Sequence, residues 1–328
     1  MTYDLKFFTP ILRALQAHNN VEVRTDEWSS LHADNGDTTL GVIDWADVVI
    51  AEWCGPAAAL ASRRIRPDQR LLIRLHRFEL HEGYCDDVKI DAVDTVVTVD
   101  EHYRRLLLDR TGWPEEKVRC IPNTVDADRF ALTKTENARF GIGLLGASSK
   151  RKRLDEALRV IRSVRRHDDR FTLRVKSAMP QDLKWVWDDP EERSYFERIL
   201  PVYQELLDEG AVIHSPEGPD VPEWLRGIGF VLSVSDDESF HLSPAEGMAS
   251  GAVPVIRYWP GAETVYDKRW IHATAEGAAA SILSESATAE SWDSATRDAQ
   301  MEVRQYSPSV VLPEWVALVV TDQPSAGR

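Results

Sequence analysis

The feature that most constrains this chain is a steady alternation of short apolar runs with helix-like stretches. In the first half, Ala46–Ala51, Arg70–Leu75, Thr95–Val99 and Val118–Ile121 read as strands, and Val21–Arg24 as a further short one. Between them, Phe7–His18, Pro56–Ser62 and Glu101–Arg110 have helical spacing. A second series follows, with strands expected at Phe140–Leu145, Phe171–Val175, Ala211–His214, Gly229–Ser235 and Val253–Ile256, and a helix at Leu154–Arg166. Leu183–Leu207, Ser291–Tyr306 and Leu312–Val320 also read as helical. Strand and helix alternation of this kind predicts an α/β protein with doubly wound parallel sheets. The polar stretch 131–138 divides the two series, giving an N-terminal domain over 1–134, a second over 135–305 and a tail helix over 306–328.

A chain of 328 residues suits two domains. The net charge of −15 argues against a nucleic-acid partner, which calls for a broad basic face. No apolar run reaches the ~18 residues of a membrane span, and no leader precedes a cleavage site. A cytoplasmic protein is expected, with a peripheral place at the membrane as the alternative. Cys54, Cys85 and Cys120 form neither a disulfide framework nor a zinc pattern, and His76, His81, Glu82 and Cys85 have no zinc-ligand spacing either.

Against this acidic background, two stretches point to chemistry. Glu238-Ser-Phe-His-Leu-Ser-Pro-Ala-Glu246 joins an apolar strand to a helix that Gly251 would end. Ser243 as N-cap, Pro244 at the first position and Glu246 at the third would form a capping box. Glu246 thus has two readings, cap or ligand contact. Glu238 is not needed for capping, and it follows Asp236 and Asp237, a costly crowding of acids unless they are exposed or face a positive partner. The second stretch is Lys150-Arg-Lys-Arg153, which opens a helix. Cations there are unfavourable by ~0.3–1 kcal/mol each, so either a bound anion or Asp155 and Glu156 must offset them.

Glu238-Ser-Phe-His-Leu-Ser-Pro-Ala-Glu246, with Gly-Met-Ala-Ser-Gly-Ala-Val-Pro-Val-Ile after it, resembles the E-x7-E signature of retaining glycosyltransferases of family 4. Ile121-Pro-Asn-Thr-Val-Asp-Ala-Asp-Arg-Phe130 is similar to the segment closing that family's N-terminal domain. Gly146-Ala-Ser-Ser-Lys-Arg-Lys-Arg-Leu-Asp155 resembles its diphosphate-binding loop. The resemblance implies the GT-B fold: two Rossmann-like domains facing across a cleft, with the last helix crossing back to the first domain. It implies a nucleotide diphosphate-sugar as donor, a carbohydrate, lipid-linked or small-molecule acceptor, no cofactor and no metal. Glu238 would contact the sugar and Glu246 the ribose. Lys152, helped by Arg151 or Arg153, would neutralise the diphosphate, and His76 would face the sugar from the other domain. Ser243 belongs to the same donor segment.

Three departures from the family pattern stand out. Ala147 replaces an arginine, and His241 replaces a glycine whose lack of a side chain lets backbone approach the sugar. The chain also enters its first helix almost directly, so the first strand and its glycine turn are expected to be absent, through a misplaced start or a real loss. These departures keep open a catalytically degenerate protein that binds nucleotide-sugar or pairs with an active transferase. Asp126-Ala-Asp128 lies inside the closing segment and reads as structural. Of the tryptophans, Trp45, Trp224 and Trp315 read as core or domain-interface residues, and Trp259 follows a strand near the expected cleft.

Overall fold

Two all-parallel sheets carry the chain, one in each of two compact units. The computed structural model describes residues 1–320. The first unit comprises Met1–Thr124 with the described residues from Pro308 onward, and the second spans Val125–Ser307. Among the described residues, no helix is long and apolar enough to cross a membrane.

The first sheet has the order β1 (Val48–Glu52), β2 (Arg70–Arg74), β3 (Thr95–Thr98), β4 (Val118–Cys120). Side chains alternate across it, as a pleated strand requires. Leu71, Ile73 and Val96 join Ile43, Ala58 and Tyr103 in one core. Leu72 and Val97 join Phe8, Ile11 and Trp315 in the other. The helix Pro308–Val320 therefore belongs to the first unit, where Trp315 is fully buried. Arg70 Nη2 caps it by donating to the Leu318 carbonyl at 2.6 Å. The remainder of the expected tail helix, 321–328, lies outside the described residues.

Among the described residues no strand precedes the first helix, Thr9–Gln16, and a short bridge runs beside β1. Met1 nitrogen donates to the Ile50 carbonyl at 2.9 Å, and Glu52 N–H returns to the Met1 carbonyl at 3.0 Å. On its other side, Thr2 N–H donates to Asp26 and Trp28 N–H to Thr2, giving a parallel bridge between Thr2 and Glu27. Met1 thus pairs with the C-terminal half of β1. The strand expected at Val21–Arg24 does not form, because pairing begins only beyond it, at Asp26–Trp28.

The second sheet runs β10 (Ile271–His272), β9 (Val253–Arg257), β8 (Phe230–Ser233), β5 (Gly141–Leu145), β6 (Thr172–Lys176), β7 (Val212–Ser215). The order reverses direction between β5 and β8, and in open α/β sheets such a switch point marks the ligand crevice. Packing is close there: a Cβ on Gly247 would stand 2.3 Å from Val231 Cγ1. The stretch expected as a linker, 131–138, packs into this unit. Lys134 Nζ donates to the carbonyls of Leu225 and Ile228 at 2.8 and 2.6 Å, and to Ser250 Oγ at 3.0 Å. The segment expected as one helix over Leu183–Leu207 is two, Lys184–Trp187 and Pro190–Asp208, with Asp189 capping the second.

Candidate functional site

At the C-terminal end of β8 the chain leaves the sheet, crosses Val234–Phe240 and enters the helix Leu242–Ala249. The helix starts two residues earlier than the capping-box pattern predicts. His241 is the N-cap, with left-handed backbone at φ 50°, so Ser243 lies inside the first turn and Glu246 falls beyond the third position. Ser243 caps nothing, and Glu246 is left half-buried without the capping role that would have explained it. Gly251 does follow the helix end, at φ 81°.

The basic stretch forms a 3-10 turn, Lys150–Lys152, before the helix Leu154–Arg165. The Asp236 amide donates to the Arg151 carbonyl at 2.9 Å, and this fastens the turn to the loop after β8. Each of the four cations meets a carboxylate. Lys150 pairs with Glu191 at 3.1 Å. Arg153 pairs with Asp155, Glu156 and Asp236 at 2.8, 3.0 and 2.8 Å. Arg151 and Lys152 both reach Glu238 Oε1, at 2.8 and 2.5 Å. For Lys150 and Arg153, neighbouring acids supply the offset; Arg151 and Lys152 share the single carboxylate that the sequence marked as chemical. At the departure from the family pattern, the Ala147 amide donates to Ser177 Oγ at 2.9 Å, and Gly146 before it takes φ 73°.

The electrostatics of this cluster are strongly biased. Burial pushes the Glu238 carboxyl up, but its basic neighbours outweigh that and hold the group well below the usual carboxylate range. His241 is itself lowered to about 3, chiefly by burial, so its imidazole is neutral near pH 7. The charge that keeps Glu238 ionised is therefore that of Lys152 and Arg151. The side chain of Glu238 is 9% exposed, whereas those of Lys152 and Arg151 are 20% and 27% exposed. An anion arriving from solvent can compete for the two cations more easily than for the carboxylate beneath them.

His76 stands at the end of β2 in the first unit, as N-cap of the short helix Arg77–His81. Its Nε2 lies 2.9 Å from Glu52 Oε1, and the same oxygen accepts from Arg74 Nη1 at 2.9 Å. Arg74 Nη2 donates in turn to Asn123 Oδ1. Glu79 Oε1 accepts from the amides of His76 and Cys54. The His76 ring lies 4.1 Å, centre to centre, from that of Trp53, whose backbone takes the left-handed φ of 74°. Such strain costs ~1–3 kcal/mol and collects at functional sites. Sequence reasoning missed Glu52, Arg74, Asn123 and Trp53. The visible signal was charge inside strands: Glu52 ends one buried strand and Arg74 interrupts another, and only a pair makes both tolerable.

The other sequence candidates have structural roles. Asp126 accepts from the Arg129 amide and caps the helix Ala127–Phe130. Trp259 is buried rather than presented for stacking, and Trp45, read as core, is 37% exposed beneath the Arg24 guanidinium.

No family model and no curated protein sequence matches the chain. Solved structures do. HepE of Anabaena, crystallised with UDP, superposes with a TM-score of 0.70 at 16% identity, over 94% of this chain and 87% of that one. A glycosyltransferase of Rickettsia africae gives 0.67 at 14% identity, over 98% of each. S. aureus TarM, in a complex that contains UDP, gives 0.66 at 16% identity, over 88% of this chain and 59% of that one. At these identities the likeness shows the fold, which is the GT-B fold of glycosyltransferases.

Proposed function

We propose that this chain transfers a sugar from a nucleotide diphosphate-sugar to an acceptor with retention of anomeric configuration, in the manner of family 4. The observation that carries the proposal is Glu238 held between Lys152 and Arg151 at the end of β8, beside a helix start and a topological switch point. UDP and UDP-glucose complexes of structural neighbours support a nucleotide-sugar donor.

In this reading the diphosphate takes Lys152 and Arg151 from Glu238. Preorganised cations then stabilise the charge that develops on the leaving group, without a metal. Glu238, released from its two partners, contacts the sugar, and Glu246 contacts the ribose. The acceptor oxygen bonds to the anomeric carbon on the face from which the phosphate oxygen departs. The bond from that carbon to the phosphate breaks, and the departing phosphate takes the acceptor proton. His76, held by Glu52, takes the sugar-orienting role that the resemblance gives it. Arg153, already shared among three carboxylates, keeps its place in the scaffold. The acceptor is a carbohydrate, a lipid-linked saccharide or a small molecule.

A second reading, a nucleotide-sugar binder without turnover, draws on Ala147 standing where the family carries a cation. Binding and slow hydrolysis of UDP-, GDP- and ADP-sugars separate the two readings, with Glu238→Ala as control. Hydrolysis of one donor that is lost in the variant is the expected result. Unchanged hydrolysis in Glu238→Ala removes the transferase assignment, and tight binding with no turnover favours the binder.

A further inference from the structure

Within the first unit, a cavity of about 100 Å³ lies between β1 and the stretch Val21–Thr25. Both side walls are backbone edges. On β1, the Arg70 amide donates to the Asp47 carbonyl, so Asp47, Val49 and Ala51 face β2 and Val48, Ile50 and Glu52 face the cavity side. Met1 takes the Ile50 carbonyl and the Glu52 amide. The Ile50 amide and the Val48 carbonyl make no hydrogen bond among the described residues. On the opposite wall, Thr2 pairs with Asp26 and Trp28. Val21 and Val23 before them are half-buried, and Glu22 and Arg24 exposed, the alternation of a strand. The Arg24 and Asp26 amides of this wall also lack a partner among the described residues.

The other two faces are apolar. Phe8 and Leu15 belong to the core on one side of the sheet and Ala46 to the core on the other, and all three line the cavity. The cavity therefore lies in the plane of the sheet. Water there could satisfy the amides but not the apolar faces, and a hydrocarbon could do only the reverse. An extended peptide does both, and with apolar faces above and below it must be apolar at consecutive positions. One end of the slot is charged. The Met1 ammonium has one acceptor among the described residues, the Ile50 carbonyl. Burial lowers its pKa. Asp26, the acid that most counters this, is already spent on Trp28, Asn35 and Thr39, at 2.9, 2.6 and 2.8 Å.

We propose that this slot docks the C-terminal segment of a partner protein, an extended apolar peptide of about three residues that lies parallel to β1 and ends with its carboxylate at the Met1 ammonium. The guest bonds to Val48 and Ile50 on one side and to Arg24 and Asp26 on the other. It thereby gives Val21–Thr25 the neighbour that its strand-like alternation calls for. Its direction follows from Met1, which already runs parallel to β1 on the same line. A guest running the other way would end there with a second ammonium.

The test uses the full chain and a set of acetylated peptides, each a Lys-Lys leader followed by one combination of Ala, Val, Ile and Leu at the last three positions, with a free carboxylate. Calorimetry gives affinity, and amide hydrogen exchange shows where the peptide lies. Members of the set are expected to bind and to slow exchange at both Ile50 and Asp26, one amide on each wall. The C-terminal amide of a binding peptide should be about 10- to 100-fold weaker, because it lacks the charge that Met1 meets. N-methylation at either of two successive residues should cost about 3- to 10-fold, since successive amides face opposite walls. Binding that survives both N-methylations, or protection on one wall alone, reduces the slot to an apolar surface and overturns the proposal. Equal affinity of acid and amide overturns the role of Met1, and no binding by any member overturns the whole. Protection of the same amides in the peptide-free chain as its concentration rises assigns the slot to a second copy. Residues found ahead of Met1 in the protein isolated from its host assign it to this chain's own backbone. Either result overturns the proposal.

Discussion

Each unit holds a carboxylate shared by two basic side chains, yet the two clusters are built for different work. In the first unit, Glu52 meets Arg74 and His76 with the carboxylate and guanidinium each 1% exposed. In the second, Glu238 meets Lys152 and Arg151, both of which keep a fifth or more of their side chains in water. Desolvation makes the first arrangement rigid: neither partner can leave without stranding a charge, so its use is to hold His76 in one orientation. Partial solvation makes the second exchangeable, since a cation in contact with water can move to another anion at modest cost. The same three-group motif is a scaffold when dry and, on the proposed function, a binding site when partly wet.

The comparison breaks most readily at Arg74. Arg74→Met should destabilise the protein by about 3–5 kcal/mol in chemical denaturation, because it leaves the buried Glu52 carboxylate without its guanidinium and with His76 as its remaining side-chain contact. Adding Glu52→Gln should recover much of that loss. A cost below ~1 kcal/mol for the single change would show that water reaches Glu52 and that the two clusters are alike.

In the second unit the larger effect should be on activity. Lys152→Ala is expected to lower kcat/KM by about 10²–10³-fold. Its denaturation midpoint should move far less than that of Arg74→Met, since Arg151 still faces Glu238. A large stability loss with normal donor affinity would reassign Lys152 to the scaffold.

Acid sharpens the contrast further. The folded-state pKa of Glu238 is depressed, so its contribution to stability is complete above the ordinary glutamate value of 4.5 and is lost as pH falls below it. The difference in urea midpoint between wild type and Glu238→Gln should hold from pH 7 to about 5. Below that it should shrink, with a slope of at most ~1.4 kcal/mol per pH unit for one proton. A difference that grows on acidification would mean the carboxyl is protonated in the fold.

The smallest effect is expected at Arg153. Arg153→Ala should cost about 0.2–1 kcal/mol, as partly exposed ion pairs do, and leave UDP affinity unchanged. Weakened binding would move Arg153 from the scaffold to the site.

Much of this was legible in the sequence, for identifiable reasons. Apolar runs such as Arg70–Leu75 and Phe230–Ser233 can satisfy backbone and burial together only as interior strands, and they formed within a residue or two of the expected bounds. Val21–Arg24 has the same local character but no neighbour to pair with until Asp26, so its pattern misled. The capping-box pattern failed at Ser243 because it scores only local hydrogen bonds. The turn at His241 is set by Tyr266, Ser233 and Ser243, two of them far along the chain.

The sequence by itself determined the order of strands and helices, the place of the Glu238 segment at a strand end, and the basic turn before Leu154, since all of these follow from spacing and local propensity. Only the tertiary structure decided which cation meets which acid, that Glu52 and Arg74 hold His76, and that the His241 ring meets Ser233. Those outcomes depend on partners between eight and eighty-seven positions apart, whose distance and dehydration exist only once the sheets have brought them together.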